Sequence, residues 1–401
     1  MIRLTWKQKI GAVTGNALEF YDIAVFASIS GFISVLFTHQ GIEHAEYVVW
    51  GIFALRFLVR PLGGLVIGHY AKNHGVRAAL ILTNFMIGLA TLSMAFMPVE
   101  ALGQYIVVVF LLLQIVQAFS FGGEYPTLIS YLHQGTDKVD KSKTSSLIVA
   151  SSIVGVVVSL VVVYALKEIL TVEEMNDYGW RLPLLVGVLN TLMSLYFRLS
   201  LPSLPSIKTV KMPMKRSTLT LRIFMVTIIG AVIFYTQNFA SKMIGAELTI
   251  ENLPLINSLL LLFTLALTGW LTDKYSSATQ AFRLASIALV FCSIPLFLML
   301  SSGNPIYMAL SIIFFTLISG FLLGNLAAVL WQESEGDIIS LGFGYNIALS
   351  LFGGATPLIV GLLIPEGFTF VGLYVALAAV PALVILSRPN TRINTKIRYA
   401  R

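Results

Sequence analysis

Apolar runs long enough to cross a lipid bilayer alternate along this chain with short polar connections, and the alternation continues to residue 387. A window of about 20 residues, the length a helix needs to span the hydrocarbon core, predicts twelve spans. They fall at 10–37, 46–70, 77–97, 103–132, 145–166, 181–198, 221–244, 253–272, 282–301, 305–331, 340–364 and 368–387. The first reads as a retained membrane helix and not a cleavable leader, because Glu19 and Asp22 interrupt it and no small-residue cleavage pattern follows. The expected fold class is all-α integral membrane.

The longest polar stretch between spans, 199–220, holds Pro202, Pro205, Pro213 and the basic residues Lys208, Lys211, Lys215 and Arg216. It predicts an N-terminal six-helix bundle at 1–198, a cytoplasmic linker at 199–220, a C-terminal six-helix bundle at 221–387 and a basic cytoplasmic tail at 388–401. Two halves related by duplication place a substrate site between them near mid-membrane. Alternate connections are basic, carrying Arg3, Lys7, Lys9, Lys72, Arg77, Lys138, Lys141, Lys143, Lys274 and Arg283, whereas those between them carry Glu43, Glu46, Glu100, Glu168 and Glu247. Basic connections stay in the cytoplasm, so both termini are expected there. The connection 332–339 is acidic, with Glu333, Glu335 and Asp337, but acidic residues contribute little to orientation.

Composition removes most other classes. The chain is 57% hydrophobic and 11% charged, against roughly 25% charged in soluble domains. Its net charge of +7 is scattered through connections and forms no basic domain, so no nucleic-acid partner is expected. The single Cys292 excludes an internal disulfide. His39, His44, His69, His74 and His133 fall at segment ends without metal spacing and read as solvated surface residues. No phosphate-binding Gly-rich loop or nucleophile turn is present, so the protein is not expected to be an enzyme. No metal and no cofactor are expected.

Five ionisable residues interrupt the spans: Glu19, Asp22, Arg56, Arg60 and Glu124. Charge at membrane depth is costly and marks a pathway by default. Glu19 and Asp22, three apart, and Arg56 and Arg60, four apart, each share a helix face. The acids can carry a coupled proton or meet a cationic group; the plainer alternative is that they neutralise the arginines. Arg60 precedes the kinking Pro61, and a guanidinium can grip a carboxylate with two donors. Arg56 lies nearer the span centre and is the preferred substrate partner. Tyr21, Gln237 and Asn238 add neutral hydrogen-bonding groups in spans one and seven, which are equivalent by position. Ser151, Gly155 and Ser159, and Gly353, Pro357 and Gly361, have the spacing of close helix crossings. Trp50 and Trp180 sit near span ends, where an aromatic belt is expected.

Two cytoplasmic turns in equivalent places, through Gly68, Lys72, Gly75 and Arg77 and through Gly269, Asp273, Lys274 and Ser276, resemble the signature loop of the major facilitator superfamily. Further segments are similar to its metabolite:proton symporter branch, which includes proline/betaine, α-ketoglutarate, citrate and shikimate permeases. They are Gly15 to Asp22, Arg60 to Gly64, Gln117 to Glu124, Gly179 to Pro183, Tyr345-Asn346 and Phe352 to Pro357. The resemblance implies two pseudo-symmetric six-helix bundles. It also implies gating or structural roles for Glu124, Gln114, Gly68, Lys72, Gly75, Asp273 and Lys274. Three positions depart from the pattern. Lys72 replaces an Asp, Gln114 an Arg linked to proton movement, and Asp337 an Arg.

The expected function is therefore secondary transport of a small anionic or zwitterionic metabolite across a bacterial inner membrane by a monomer among lipids. Proton symport with alternating access is the expected mode. Arg56, Arg60, Tyr21, Gln237 and Asn238 would bind substrate, and Asp22 and Glu19 would carry the coupling proton. An uncoupled facilitator or exporter is the alternative favoured by Gln114 and Lys72; a transport-dead receptor or scaffold is the alternative from another class.

Overall fold

A computed structural model describes residues 3–204, 214–250 and 252–387. The expected tail at 388–401, and Pro205, Lys208, Lys211 and Pro213 of the expected linker, lie outside the described residues. Twelve helical spans are present among those described. They are α1 (Trp6–His39), α2 (Ala45–His74), α3 (Val76–Ala95), α4 (Val99–Gln134), α5 (Lys141–Ile169), α6 (Arg181–Leu199), α7 (Arg216–Glu247), α8 (Leu253–Tyr275), α9 (Ala278–Leu300), α10 (Pro305–Ser334), α11 (Ile338–Leu363) and α12 (Phe368–Leu386).

Several helices outrun their apolar cores because local polar groups satisfy the extra turns. α1 starts at Trp6, not at residue 10, because Thr5 and Gln8 form a reciprocal capping box. α7 starts at Arg216, inside the stretch expected as linker, where Arg216 pairs with Asp337 at 3.2 Å and Arg222 with Glu333 at 3.0 Å. Those partners hold the basic first turns of α7 against α10 and α11.

Packing repeats between the halves. α1 lies on α5 and α6, α2 on α4, and α3 on α4 and α6; likewise α7 lies on α11 and α12, α8 on α10, and α9 on α10 and α12. The halves meet where α2 touches α11 and α5 touches α8 and α10, with α4 also against α11. Glycine makes the closest crossings possible. A Cβ on Gly155 would stand 2.1 Å from the Ala17 carbonyl oxygen, and one on Gly64 would stand 2.6 Å from the Gly342 oxygen.

The two signature turns differ in backbone. Gly75 has φ +94°, a conformation that glycine alone adopts cheaply. Ser276, its equivalent, is extended at φ −149°, which explains why the second turn needs no glycine.

Two expectations are corrected. Trp180 is fully buried, not part of an interfacial belt. The π-helical turn Met175–Gly179 folds back over α1, and Trp180 lies under Arg181, whose guanidinium donates to the Ala95 and Met97 carbonyls. His133 is buried rather than solvated, and its ring stacks across the seam with Trp331 at 6.4 Å.

Candidate functional site: a charged network beside the seam

All five ionisable residues found in the spans are buried, none pointing to the lipid-facing surface. Transfer of a lone charge into apolar surroundings is prohibitive, so the partner of each decides what it can do. Glu19 of α1 forms an ion pair with Arg60 of α2. The Arg60 Nε also donates to Asn346 Oδ1 of α11 at 3.4 Å. Asn346 in turn donates to the carbonyls of Gly122 (2.6 Å) and Gly342 (2.7 Å), tying α2, α4 and α11 at one point. Glu19 Oε2 has no hydrogen-bond partner among the described residues.

Asp22 lies one turn further along α1. Its Oδ2 accepts from Thr91 Oγ1 at 3.0 Å and from Gln117 Nε2 at 3.2 Å, while Oδ1 has no partner. Gly187 faces it so closely that a Cβ there would be 2.9 Å from Oδ1. Arg56 is 4% exposed, and both terminal guanidinium nitrogens lack a hydrogen-bond partner among the described residues. Instead the group sits among the rings of Phe26, Phe53 and Phe121, at 5.4, 6.0 and 5.7 Å from their centroids. Cation–π attraction compensates part of its desolvation, and its directional donors are left over.

Between the halves lies a small cavity of about 20 Å³ walled by Phe20, Tyr125, Phe234, Tyr235 and Tyr345, with Ser152. Tyr125 stacks on Tyr345 at 4.8 Å, and Phe20 meets Phe234 at 4.9 Å. Glu19 precedes Phe20 and Asn346 follows Tyr345, so the charged network lies directly behind the aromatic wall. The Tyr235 hydroxyl is buried without a partner.

The other candidate residues are distributed as follows. Tyr21 donates its hydroxyl to the Pro183 carbonyl at 2.7 Å, tying α1 to α6. Gln237 donates to Thr316 and Ser319 and lines a separate small cavity of about 30 Å³ inside the second bundle, with Thr236, Asn257 and Ser311. Asn238 accepts from Ser258 at 3.1 Å. Gln114 donates to the Met94 sulfur at 3.0 Å. Gly68 packs on Ile339, and Lys72 is exposed one turn beyond it. Lys274 lies over the Trp270 and Tyr275 rings.

Glu124 accepts from Thr83 at 2.5 Å and forms a fully buried ion pair with Arg198. Sequence reasoning passed over Arg198, which closes α6 and reads as a helix-end anchor. The available signal was Gly15, since a Cβ there would stand 1.9 Å from Arg198 Nη2. Asn346 was noticed only within a motif; its position on the α2-facing side of α11 needed the helix register.

Two six-helix halves of this packing form the major facilitator fold. A family model described as "Sugar (and other) transporter" matches residues 9–206. The D-xylose symporter XylE, solved bound to 6-bromo-6-deoxy-D-glucose, superposes with a TM-score of 0.77 over 95% of each chain at 16% identity, a likeness of fold. The chain shares the major facilitator fold and is similar to transporters of that superfamily. The chain is 26% identical to a Staphylococcus aureus (strain MSSA476) protein named "Putative proline/betaine transporter", covering 90% of this chain and 82% of the relative. It is 25% identical to the alpha-ketoglutarate permease of Escherichia coli (strain K12), covering 94% and 91%. It is 27% identical to the ectoine/proline transporter ProP of Corynebacterium glutamicum, covering 94% and 80%.

Proposed function

We propose that this multi-pass membrane protein is a secondary transporter carrying a small carboxylate-bearing metabolite, zwitterionic or anionic, by proton symport and alternating access. It works as a monomer in a bacterial inner membrane with both termini in the cytoplasm. The observation that carries the reading is Arg56, a buried guanidinium whose two terminal nitrogens have no hydrogen-bond partner among the described residues, within electrostatic reach of Asp22, which also has an unpartnered oxygen among them. Two parallel donors match a carboxylate, and the surrounding rings offer a face to a cationic head group. Relatives named for proline, betaine, ectoine and α-ketoglutarate support the same chemistry. Asp22 and Glu19 are the proton carriers, and Arg60 is the second anchor.

The test is uptake of radiolabelled glycine betaine, proline and α-ketoglutarate into proteoliposomes, by the unaltered protein and by Arg56→Lys. A lysine keeps the charge but loses the planar pair of donors, so uptake of the carried compound falls at least about tenfold, equivalent to roughly 1.4 kcal/mol. Unchanged uptake by Arg56→Lys would remove Arg56 from the site. An uncoupled facilitator is the second reading, favoured by Gln114, whose amide meets a sulfur and no charge.

A further inference from the structure

Asn346 occupies a position no other side chain shares among the described contacts: it touches the Glu19–Arg60 pair on one side and holds two helices across the seam on the other. Its exposure is zero. Both amide hydrogens are committed, to Gly122 O at 2.6 Å and Gly342 O at 2.7 Å, whereas its oxygen receives only the long 3.4 Å contact from Arg60 Nε. Ordinary N–H···O bonds centre near 2.9–3.0 Å. The contact is therefore weak while Glu19 holds the guanidinium, and the strong bond to Gly122 clamps α4 to α11 while the one to Gly342 fixes the amide on its own helix.

The backbone around this amide has no slack. A Cβ on Gly64 would stand 2.6 Å from Gly342 O and 2.8 Å from Asn346 Nδ2, and one on Gly122 would stand 2.0 Å from Arg60 O. Three glycines on α2, α4 and α11 thus bring main chains into contact around one side chain. A shift of Asn346 cannot be absorbed locally, because interiors packed at this density transmit displacement.

We propose that Asn346 is a positioning residue that passes the charge state of Glu19 to the contact between the halves. When Glu19 is neutral, Arg60 loses its counter-ion and turns to the nearest acceptor, Asn346 Oδ1. The amide follows, the bonds to Gly122 and Gly342 loosen, and the end of the seam nearer the termini opens. This deepens the transport reading and rests on it, yet the device can be tested without any substrate.

Ile339 gives the readout. It is 4% exposed, lies on α11 against Gly68 of α2, and is about two turns nearer the N-terminal end of α11 than Asn346. An Ile339→Cys reporter in a Cys292→Ser background is exposed to the membrane-permeant thiol reagent N-ethylmaleimide, in purified protein, as Glu19→Gln and Asn346→Ala are added singly and together. Glu19→Gln is expected to speed labelling at least about tenfold when Asn346 is present and less than about twofold when it is absent. A merely structural Asn346 predicts multiplicative effects, and that outcome overturns the proposal, as does a Glu19→Gln rate equal to the parent's. Should Asn346→Ala fail to fold, Asn346→Ser takes its place, retaining a small donor without reaching Arg60. If labelling behaves as expected while no tested compound is taken up, the substrate assignment fails and the coupling stands.

Discussion

The carboxylate of Asp273 on α8 accepts the backbone amide of Ser142 on α5 at 2.8 Å, across the seam between the halves. A second bond from the Lys143 amide, at 2.9 Å, completes the clamp. The first turn of a helix leaves its amides unpaired, and the local N-cap, Asp140, bonds the Lys143 ammonium instead of the backbone. The cap is thus supplied in trans, which makes helix satisfaction and closure of the seam one interaction. Asp273→Ala should destabilise the closed state by about 1 kcal/mol, roughly fivefold in the closed-to-open ratio. Electron–electron distance measurements between spin labels at Asn73 and Ser276, exposed in opposite halves at this end, will detect the longer-distance population. An unaltered distance distribution would show that the clamp is dispensable.

The first half closes differently. The α11 N-terminus is capped by its own Asp337, which accepts the Ser340 amide at 3.1 Å and also pairs with Arg216. An acid in the α2–α3 turn is not needed to cap this helix, and Lys72 there is exposed. The α11 N-terminus therefore carries its own capping acid, whereas α5 takes its acid from the partner half.

Glu124 and Arg198 form the second buried ion pair, within the first half. Removing one partner of such a pair strands the other charge and costs about 3–5 kcal/mol. Glu124→Gln should therefore lower the melting temperature markedly, measured by intrinsic fluorescence in detergent. The double variant Glu124→Leu, Arg198→Met should recover much of the loss, because no uncompensated charge remains. A double variant less stable than either single one would contradict this assignment of the cost.

Much of this was readable from the chain, and the parts that were not have a common cause. Spans follow from apolar length, which lipid imposes directly, so twelve segments emerge without tertiary information. Charges inside spans are equally visible: Glu19, Asp22, Arg56, Arg60 and Glu124 stand out against their neighbours. Pairing is another matter. Glu19 with Arg60 spans 41 positions and Asn346 with Arg60 spans 286, and such partners are set by helix rotation about axes that a single sequence does not specify. Arg198 was passed over and His133 misjudged because residues at helix ends look solvated until neighbouring helices cover them, Leu80 and Glu124 for Arg198 and Trp331 for His133.

Small residues in α5 separate two roles that look alike in sequence. Gly155 faces the Ala17 carbonyl with no room for a methyl group, whereas Ser159 is buried with a hydroxyl that has no partner. Gly155→Ala should force α1 from α5 and abolish the monodisperse peak in gel filtration. Ser159→Ala removes an unsatisfied polar group and should be neutral or slightly stabilising. Equal tolerance at both sites would show that the α1–α5 crossing is looser than its geometry implies.

Asp22 offers the cleanest separation of binding from coupling. Its Oδ2 is held by Thr91 and Gln117, and an asparagine oxygen can accept the same two bonds. Asp22→Asn should therefore preserve the local packing while removing the ability to gain and lose a proton. Under an imposed inward proton gradient, proteoliposomes with the unaltered protein should accumulate the carried compound above its external concentration. Those with Asp22→Asn should only equilibrate it, with exchange between pre-loaded and external compound kept within about threefold, well under 1 kcal/mol. Accumulation by Asp22→Asn equal to that of the parent would exclude Asp22 as the proton carrier and shift the role to Glu19. A parent protein that equilibrates but never accumulates, with the gradient intact, would favour the uncoupled facilitator. Arg56 would keep its role in that case, because substrate binding does not depend on where the driving force enters.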